Sequence, residues 1–457
     1  MTAVPRVVIA APSSGHGKTA VAVGLLAAFR QRGLTPAGFK IGPDYVDAAY
    51  LGLAAGRPGR NLDPRLVGAA RVGPLFSYGS AGADIAVVEG TMGLYDGLAG
   101  RQDAESTAQI AGLLRAPVIL VVDVAAMGQS VAALTHGFRA YDELLWLGGV
   151  ILNRVASDRH ETLLRESLDE IGVPVLGALR QRELPRSGLP ARTEGVVPLV
   201  HHSIAATGAV RRLGEVIAGS VDLDRLLAVA RSAPRLVAQV WSPPGGSTQG
   251  ARPVVAVAGS ARCPYGYPEA GELLTAVGAE VVTVDPLRDE RLPEDTTALV
   301  VGGALPEGYL DELAANTALA RAVRELAASG RPIVAEGAGL AWLVRDFDGQ
   351  PMCGVLDASG RTGDYPVVGY REATVRTVSP HLSLGTAIVG HKHHHGVVSP
   401  RAGERPAWSW PGGQPEGFVS GGIHASYLCL HWAAQPDMAG KLVSAAAGEE
   451  NTLRLVS

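Results

Sequence analysis

The chain is short of several features that would have decided its class at once. It has three cysteines, Cys263, Cys353 and Cys429, scattered and odd in number. They supply neither a disulfide framework nor a metal-spaced cluster. Lys and Arg total 40 against 44 Asp and Glu, a formal net charge of -4. No basic excess points to nucleic acid, and no long run of one sign forms a tail. No apolar run of about 18 residues is free of charge, so no membrane span is expected. Residues Met1 to Arg6 lead straight into an apolar run, so no signal peptide is expected. There is no internal repeat. These absences together predict a cytoplasmic globular protein. Its 457 residues, 47% hydrophobic, are enough for two or three domains.

The apolar run Val7-Val8-Ile9 is followed by Ala10-Ala11-Pro12-Ser13-Ser14-Gly15-His16-Gly17-Lys18-Thr19, and then by a helix-like run from Lys18 to Arg32. A strand, a Gly-rich loop ending Gly-Lys-Thr and a helix make a phosphate cradle. Backbone N–H groups around Ser14, Gly15, His16 and Gly17 and the helix N-terminus face the phosphate oxygens. Lys18 bridges the terminal phosphates, and the Thr19 hydroxyl can ligate Mg²⁺. The commonest form of the motif has a glycine where this chain has Pro12, but Gly15 and Gly17 still supply freedom near the phosphates. An ordinary strand-to-helix turn is the alternative; the flanks favour ATP or GTP.

The first half alternates strand-like segments (Arg6–Ala11, Pro36–Ile41, Ile85–Glu89, Val118–Val122, Leu147–Leu152, Val173–Ala178) with helix-like ones such as Ser106–Arg115, Ser130–Tyr141 and Arg159–Ile171. Apolar strands between amphipathic helices predict a mainly parallel sheet covered on both faces, with its ligand at the strands' carboxyl ends. A small, polar, uncharged stretch from Ser242 to Gly250 marks a linker. A second alternation follows at Pro253–Ala258, Glu280–Val284, Ala298–Val301 and Pro332–Ala335. The expected domains are 1–235, a linker at 236–252, a second α/β domain at 253–445 and a tail at 446–457.

Two strand ends of the first half carry acids. Phe39-Lys40-Ile41-Gly42-Pro43-Asp44-Tyr45-Val46-Asp47 offers two carboxylates three residues apart. In Val88-Glu89-Gly90-Thr91-Met92-Gly93-Leu94-Tyr95-Asp96, Glu89 closes an apolar strand and Asp96 follows a glycine-rich turn. Mg²⁺ takes oxygen ligands, commonly one or two carboxylates plus nucleotide phosphates. Turn and cap acids are the alternative reading for each loop alone. Two such loops behind one phosphate loop favour function. Asn153, at a strand end before Arg154, is a candidate reader of the nucleotide base or a simple turn residue.

These stretches together resemble the cobyrinic acid a,c-diamide synthases and their hydrogenobyrinic counterparts. Arg60-Asn61-Leu62-Asp63, Ser106-Thr107-Ala108, Cys263-Pro264-Tyr265-Gly266-Tyr267, Gly302-Gly303-Ala304-Leu305-Pro306-Glu307, Met352-Cys353-Gly354-Val355-Leu356-Asp357 and Ala425-Ser426-Tyr427-Leu428 extend the resemblance over nearly the whole chain. It implies a P-loop, dethiobiotin synthetase-like parallel-sheet domain followed by a class I glutamine amidotransferase-like α/β domain. It also implies a homodimer and MgATP-dependent conversion of a small-molecule carboxylate to an acyl phosphate and then an amide. By the same resemblance, Lys18, Asp44, Asp47, Glu89 and Asp96 would be catalytic, with Thr19, Asp47 and Glu89 holding the metal.

The second half departs from that pattern where the chemistry should be. The family's nucleophilic cysteine lies in a run like A-E-C-G-G-L; here it is Ala335-Glu336-Gly337-Ala338-Gly339-Leu340. Glycine has no side chain to form a thioester. The family's histidine base lies in A-S-Y-L-H-L-H-[FW]; here Cys429 takes its place and His431 remains two residues on. In a strand, 429 and 431 would share a face. Cys429 as a relocated nucleophile would act from a different wall of the pocket, and a small buried cysteine is the better reading. Thr193 replaces a family histidine. The run His391-Lys392-His393-His394-His395 stands for a G-H-E-[FW]-H-like pattern, as a solvated loop or packing element rather than a metal site.

The expectation is therefore an ATP-dependent amidoligase without its own glutaminase activity. Nitrogen would come from free ammonia, a separate glutaminase or another amine. A non-catalytic nucleotide- or tetrapyrrole-binding protein and a P-loop switch ATPase are the alternatives.

Overall fold

A computed structural model describes residues 3–97, 105–181, 204–245, 252–260, 263–304 and 309–448. They form two compact units that divide between Ser242 and Pro243, inside the 236–252 stretch; residues 246–251 lie outside the described residues, as do Thr193, Leu305-Pro306-Glu307 and the chain beyond 448.

In the first unit the strands are β1 (Arg6–Ala10), β2 (Pro36–Ile41), β3 (Arg60–Leu62), β4 (Ile85–Glu89), β5 (Val118–Asp123), β6 (Leu147–Val155) and β7 (Val175–Arg180). The helices are α1 (Lys18–Gln31), α2 (Tyr45–Ala55), α3 (Pro64–Val67), α4 (Ala69–Gly79), α5 (Thr107–Leu114), α6 (Ser130–Tyr141), α7 (Asp158–Asp169), α8 (Ile204–Ser220) and α9 (Leu223–Arg231). Among the described residues the strands make one sheet in the order β3-β2-β4-β1-β5-β6-β7, with every pair parallel. All residues of β1, β2 and β4 are buried, as befits strands covered on both faces. β1 lies between β4 and β5, so the loops after β1 and β4 open side by side at the carboxyl edge, where a doubly wound sheet takes its ligand.

Several ends differ from expectation. β6 runs to Val155 rather than Leu152, which puts Asn153 inside the strand. β7 is shifted two residues onward, and α7 begins at Asp158, after the cap Ser157, whose side chain accepts from the His160 N–H. In α5, Ser106 is the N-cap and Arg115 the left-handed C-cap rather than helix.

The second unit holds β8 (Val254–Ser260), β9 (Cys263–Pro264), β10 (Glu280–Val284), β11 (Thr296–Val301), β12 (Ile333–Glu336), β13 (Val344–Phe347), β14 (Gln350–Pro351), β15 (Leu356–Val375), β16 (Ala387–Ser399), β17 (Trp408–Ser409), β18 (Phe418–Ser420), β19 (Ile423–Ser426) and β20 (Cys429–Leu430). Its helices are α10 (Glu269–Ala276), α11 (Leu310–Ala315), α12 (Thr317–Ala328), α13 (Gly339–Leu343) and α14 (Asp437–Ala447). One sheet, ordered β10-β8-β11-β12-β19-β18, is parallel except at its β18 edge and at β9, which pairs with β8. The other, β14-β13-β15-β16-β20 with β17 on β15, was not anticipated; it is built round the long antiparallel pair β15–β16. The 391–395 run lies in β16 with His391, Lys392 and His394 buried, so it is no solvated loop.

Candidate active site

The phosphate cradle forms because β1 ends in a turn that no side chain caps. Gly17, at φ 96°, is the N-cap of α1 and offers no side-chain hydrogen bond, so the first N–H groups of the helix are left for an anion. Only glycine adopts that left-handed conformation without cost, and a Cβ there would lie 2.6 Å from Asn153 Nδ2. Asn153 Nδ2 donates to the His16 carbonyl at 2.8 Å. The amide expected to read a base therefore buttresses the loop, while its Oδ1 is buried with no hydrogen-bond partner among the described residues. His16 Nδ1 accepts from the Asp123 N–H at 2.8 Å, which leaves any proton of the neutral ring on Nε2. Burial lowers the pKa of this ring. Ser14 and Gly15 are exposed at the loop's crest.

Lys18 Nζ donates to the Ser13 carbonyl at 3.0 Å and the Met92 carbonyl at 2.5 Å, which ties the cradle to the loop after β4. Burial, and then the nearby Lys40, lower its pKa to about 8, against the pull of Glu89, Asp47 and Asp96. The Thr19 hydroxyl donates to Glu89 Oε1 at 2.5 Å.

Beneath them sits a residue to which the sequence motifs assign no role. Lys40, on β2, places Nζ 2.7 Å from Asp47 Oδ2, 2.9 Å from Glu89 Oε1 and 3.1 Å from the Gly90 carbonyl. All three side chains are buried. Burial pushes the Glu89 carboxyl up, to about 7, against Lys40 and Thr19, which hold it down. The two carboxylates outweigh burial at Lys40 and hold its ammonium above the ordinary lysine range. A lysine inside a strand buried on both faces must be paired, and acids at 47 and 89 were there to pair it; that was the available signal.

The four predicted acids thus divide. Asp47 and Glu89 converge with Thr19 and Lys40. Asp44 caps α2, its Oδ1 accepting from the Val46 and Asp47 N–H groups, a role worth about 1 kcal/mol. Asp96 Oδ2 accepts from the Gly93 N–H at 2.8 Å and shapes its own turn. Among the described residues no group of three or more His, Cys, Asp or Glu could hold a metal. The set on hand is Thr19, Asp47 and Glu89. It offers oxygen donors only, and Glu89 Oε2 is buried without a hydrogen-bond partner among the described residues, which fits a Mg²⁺ that completes its shell with phosphate oxygens.

In the second unit β12 turns sharply into α13 at Gly337, φ 54°. A Cβ at 337 would lie 2.5 Å from Gly303 Cα and 2.8 Å from Cys429 Sγ. Two expectations fail here. Cys429 does not act from a distant wall; its thiol lies against the elbow and fills the space a side chain at 337 would use. Nor do Cys429 and His431 share a strand face, because β20 ends at Leu430 and His431 is the N-cap of a single 3₁₀ turn. His431 stacks on Tyr267, centroids 4.5 Å apart, with Nε2 3.7 Å from Glu269 Oε2. The elbow's frame is otherwise kept. Glu336 accepts from the Leu430 N–H at 2.9 Å and Trp432 Nε1 at 3.1 Å, and burial raises its pKa to about 7.

Residues 7–190 match the model of the CobQ/CobB/MinD/ParA nucleotide binding domain, and residues 265–437 that of the CobB/CobQ-like glutamine amidotransferase domain. The chain is 50% identical to a hydrogenobyrinate a,c-diamide synthase of Streptomyces coelicolor, with 97% of each chain covered. It is 47% identical to that of Mycobacterium tuberculosis, over 97% of this chain and 98% of the other. With a cobyrinate a,c-diamide synthase of Syntrophotalea carbinolica the identity is 38%, over 97% and 99%.

Proposed function

The chain belongs to the cobyrinate and hydrogenobyrinate a,c-diamide synthases, ATP-dependent ligases that form amides, and from that premise we propose that it amidates two carboxylates of hydrogenobyrinate with ammonia it does not itself produce. A carboxylate oxygen attacks the γ-phosphorus of ATP, the bond from that phosphorus to the bridging oxygen breaks, and ADP leaves. Ammonia attacks the acyl carbon and loses a proton, and inorganic phosphate departs with the electrons of the C–O bond. Each amide consumes one ATP.

Phosphoryl transfer depends on positioning and charge neutralisation more than on covalent help. Lys18 and the loop amides hold the terminal phosphates. Thr19, Asp47 and Glu89 would hold Mg²⁺, which when bound neutralises phosphate charge. Lys40 keeps Asp47 and Glu89 in place, and Asp44 and Asp96 set the two loops that flank the substrate carboxylate. Asn153 Oδ1 is left to accept from the base. A cytoplasmic homodimer belongs to the same reading.

The observation that carries the proposal is an intact, acid-lined phosphate cradle in a chain whose elbow has no nucleophile at Gly337. Free ammonium, or ammonia delivered by a separate glutaminase, supplies the nitrogen. The test is ADP release with and without hydrogenobyrinate, with ammonium present. Release that depends on the tetrapyrrole is expected. Hydrolysis indifferent to it would make the protein a switch ATPase, and binding without hydrolysis would make it a non-catalytic homologue.

A further inference from the structure

Beside the cradle, the loop after β4 carries more apolar surface than a turn requires. Met92, whose carbonyl binds Lys18, is itself 47% exposed. Three residues on, the Tyr95 hydroxyl donates to the Phe138 carbonyl of α6 at 2.6 Å. The Tyr95 ring stacks on Phe138 with centroids 5.8 Å apart and meets Tyr141 at 4.6 Å. Tyr141 is 62% exposed, and Leu144 beyond it 93%. Three rings from two elements are therefore fixed to one another, with the outermost largely in water. Scattered exposed apolar residues need no explanation, but a joined patch marks a binding surface. Tyr95 is also the chain neighbour of Asp96, whose charge Lys18 feels.

We propose that this aromatic ledge is the subsite on which the ring of the tetrapyrrole lies while one rim carboxylate reaches ATP. The inference rests on the functional reading above. A corrin-type macrocycle is broad and apolar on its faces, with carboxylates only at its rim. Once a rim carboxylate is at the γ-phosphate, the ring must rest on protein adjoining the cradle. The loop after β4 adjoins it directly, through Met92 and Lys18. Aromatic side chains in offset or tilted contact suit such a face, and ligand sites commonly pair apolar and aromatic walls with a few placed polar groups. A small carboxylate substrate would leave the ledge unused.

The test is Tyr141→Ala, an exposed position outside the cradle, in the full-length protein. Hydrogenobyrinate is titrated by its absorbance without ATP and then varied in steady-state assays with ammonium. Its Kd and KM should rise about tenfold, with KM for ATP and kcat at saturating tetrapyrrole unchanged; Tyr141→Phe, which keeps the ring, should match the parent protein. An unchanged Kd in Tyr141→Ala overturns the subsite alone. So does a change of oligomeric state with KM for ATP and tetrapyrrole moving together, which would make the ledge an interface between copies. A parent protein that neither binds nor converts hydrogenobyrinate overturns the functional reading and the subsite with it.

Discussion

The turn from β1 to α1 and the turn from β12 to α13 are built alike. Each leaves an inner strand of a parallel sheet, passes a glycine at positive φ (Gly17 at 96°, Gly337 at 54°) and enters a helix. They differ in where the chemistry sits relative to that glycine. In the first, the reactive side chains follow it or come from neighbouring strands, so the left-handed position costs nothing. In the second, the left-handed position is itself the one the resemblance gives to the nucleophile, and here a glycine occupies it without strain. The elbow's frame is held by Glu336, Leu430 and Trp432 and by the Leu340 N–H on the Gly337 carbonyl, none of which needs a side chain at 337. The hydrogen-bonded frame of the elbow thus holds with no side chain at its turn.

The sharpest way to break this comparison is to empty the first turn as the second is empty. Lys18→Ala or Glu89→Gln should lower ammonium-dependent amidation by about 10²–10³-fold, whereas Gly337→Ala should leave that rate within about twofold. Equal losses from both would make the elbow part of the amidation chemistry. Next in size, Lys40→Met leaves Asp47 and Glu89 buried without their cation and should cost about 3–5 kcal/mol of stability in urea unfolding; a cost under about 1 kcal/mol would mean the cluster is hydrated. Gly337→Cys puts a Cβ at a left-handed position against Gly303 and Cys429, which should cost about 2 kcal/mol and confer no glutaminase activity. Glutamate release by that variant would show the elbow to be open.

The smallest effect per residue is the pH dependence that buried histidines give the second unit. Burial lowers the pKa of His391 to about 4, of His394 and His424 to about 3, and of His381 well below the ordinary range. Each is neutral in the fold and binds a proton near pH 6.5 once unfolded, so its contribution is full above that pH and is lost as pH falls. At pH 5.5 each should cost about 1 kcal/mol. Trp342, Trp408, Trp410 and Trp432, four of the six tryptophans, lie in this unit, so thermal melts followed by tryptophan fluorescence should shift down between pH 7 and 5.5. A melt indifferent to pH in that range would contradict the burial of these rings.

Most of the first unit was legible because fully buried parallel strands read as apolar runs. β2 and β4 begin and end where those runs do. The expected β6 stops short because Asn153 and Arg154 are polar, although Asn153 still pairs with Asp123 and the β7 ladder resumes at Val155 past an irregularity. Lys40 gains no role from its own stretch, because a lysine beside a Gly-Pro turn looks like part of the turn; its pairing depends on a neighbouring strand. The β15–β16 ribbon has no clean alternation to read, since buried and exposed residues follow one another irregularly along β15. The place of Cys429 depends on pairing it with His391 across β16–β20 and packing it on Gly337. Register of that kind between distant segments leaves no local pattern.

The central claim is that the cradle works and the elbow does not. Its most direct test supplies the purified protein with hydrogenobyrinate, MgATP and either ammonium or glutamine labelled with ¹⁵N at its amide, and follows tetrapyrrole amide and glutamate together by mass spectrometry. The account predicts diamide from ammonium, and neither labelled amide nor glutamate from glutamine. Labelled amide formed in step with glutamate would contradict it.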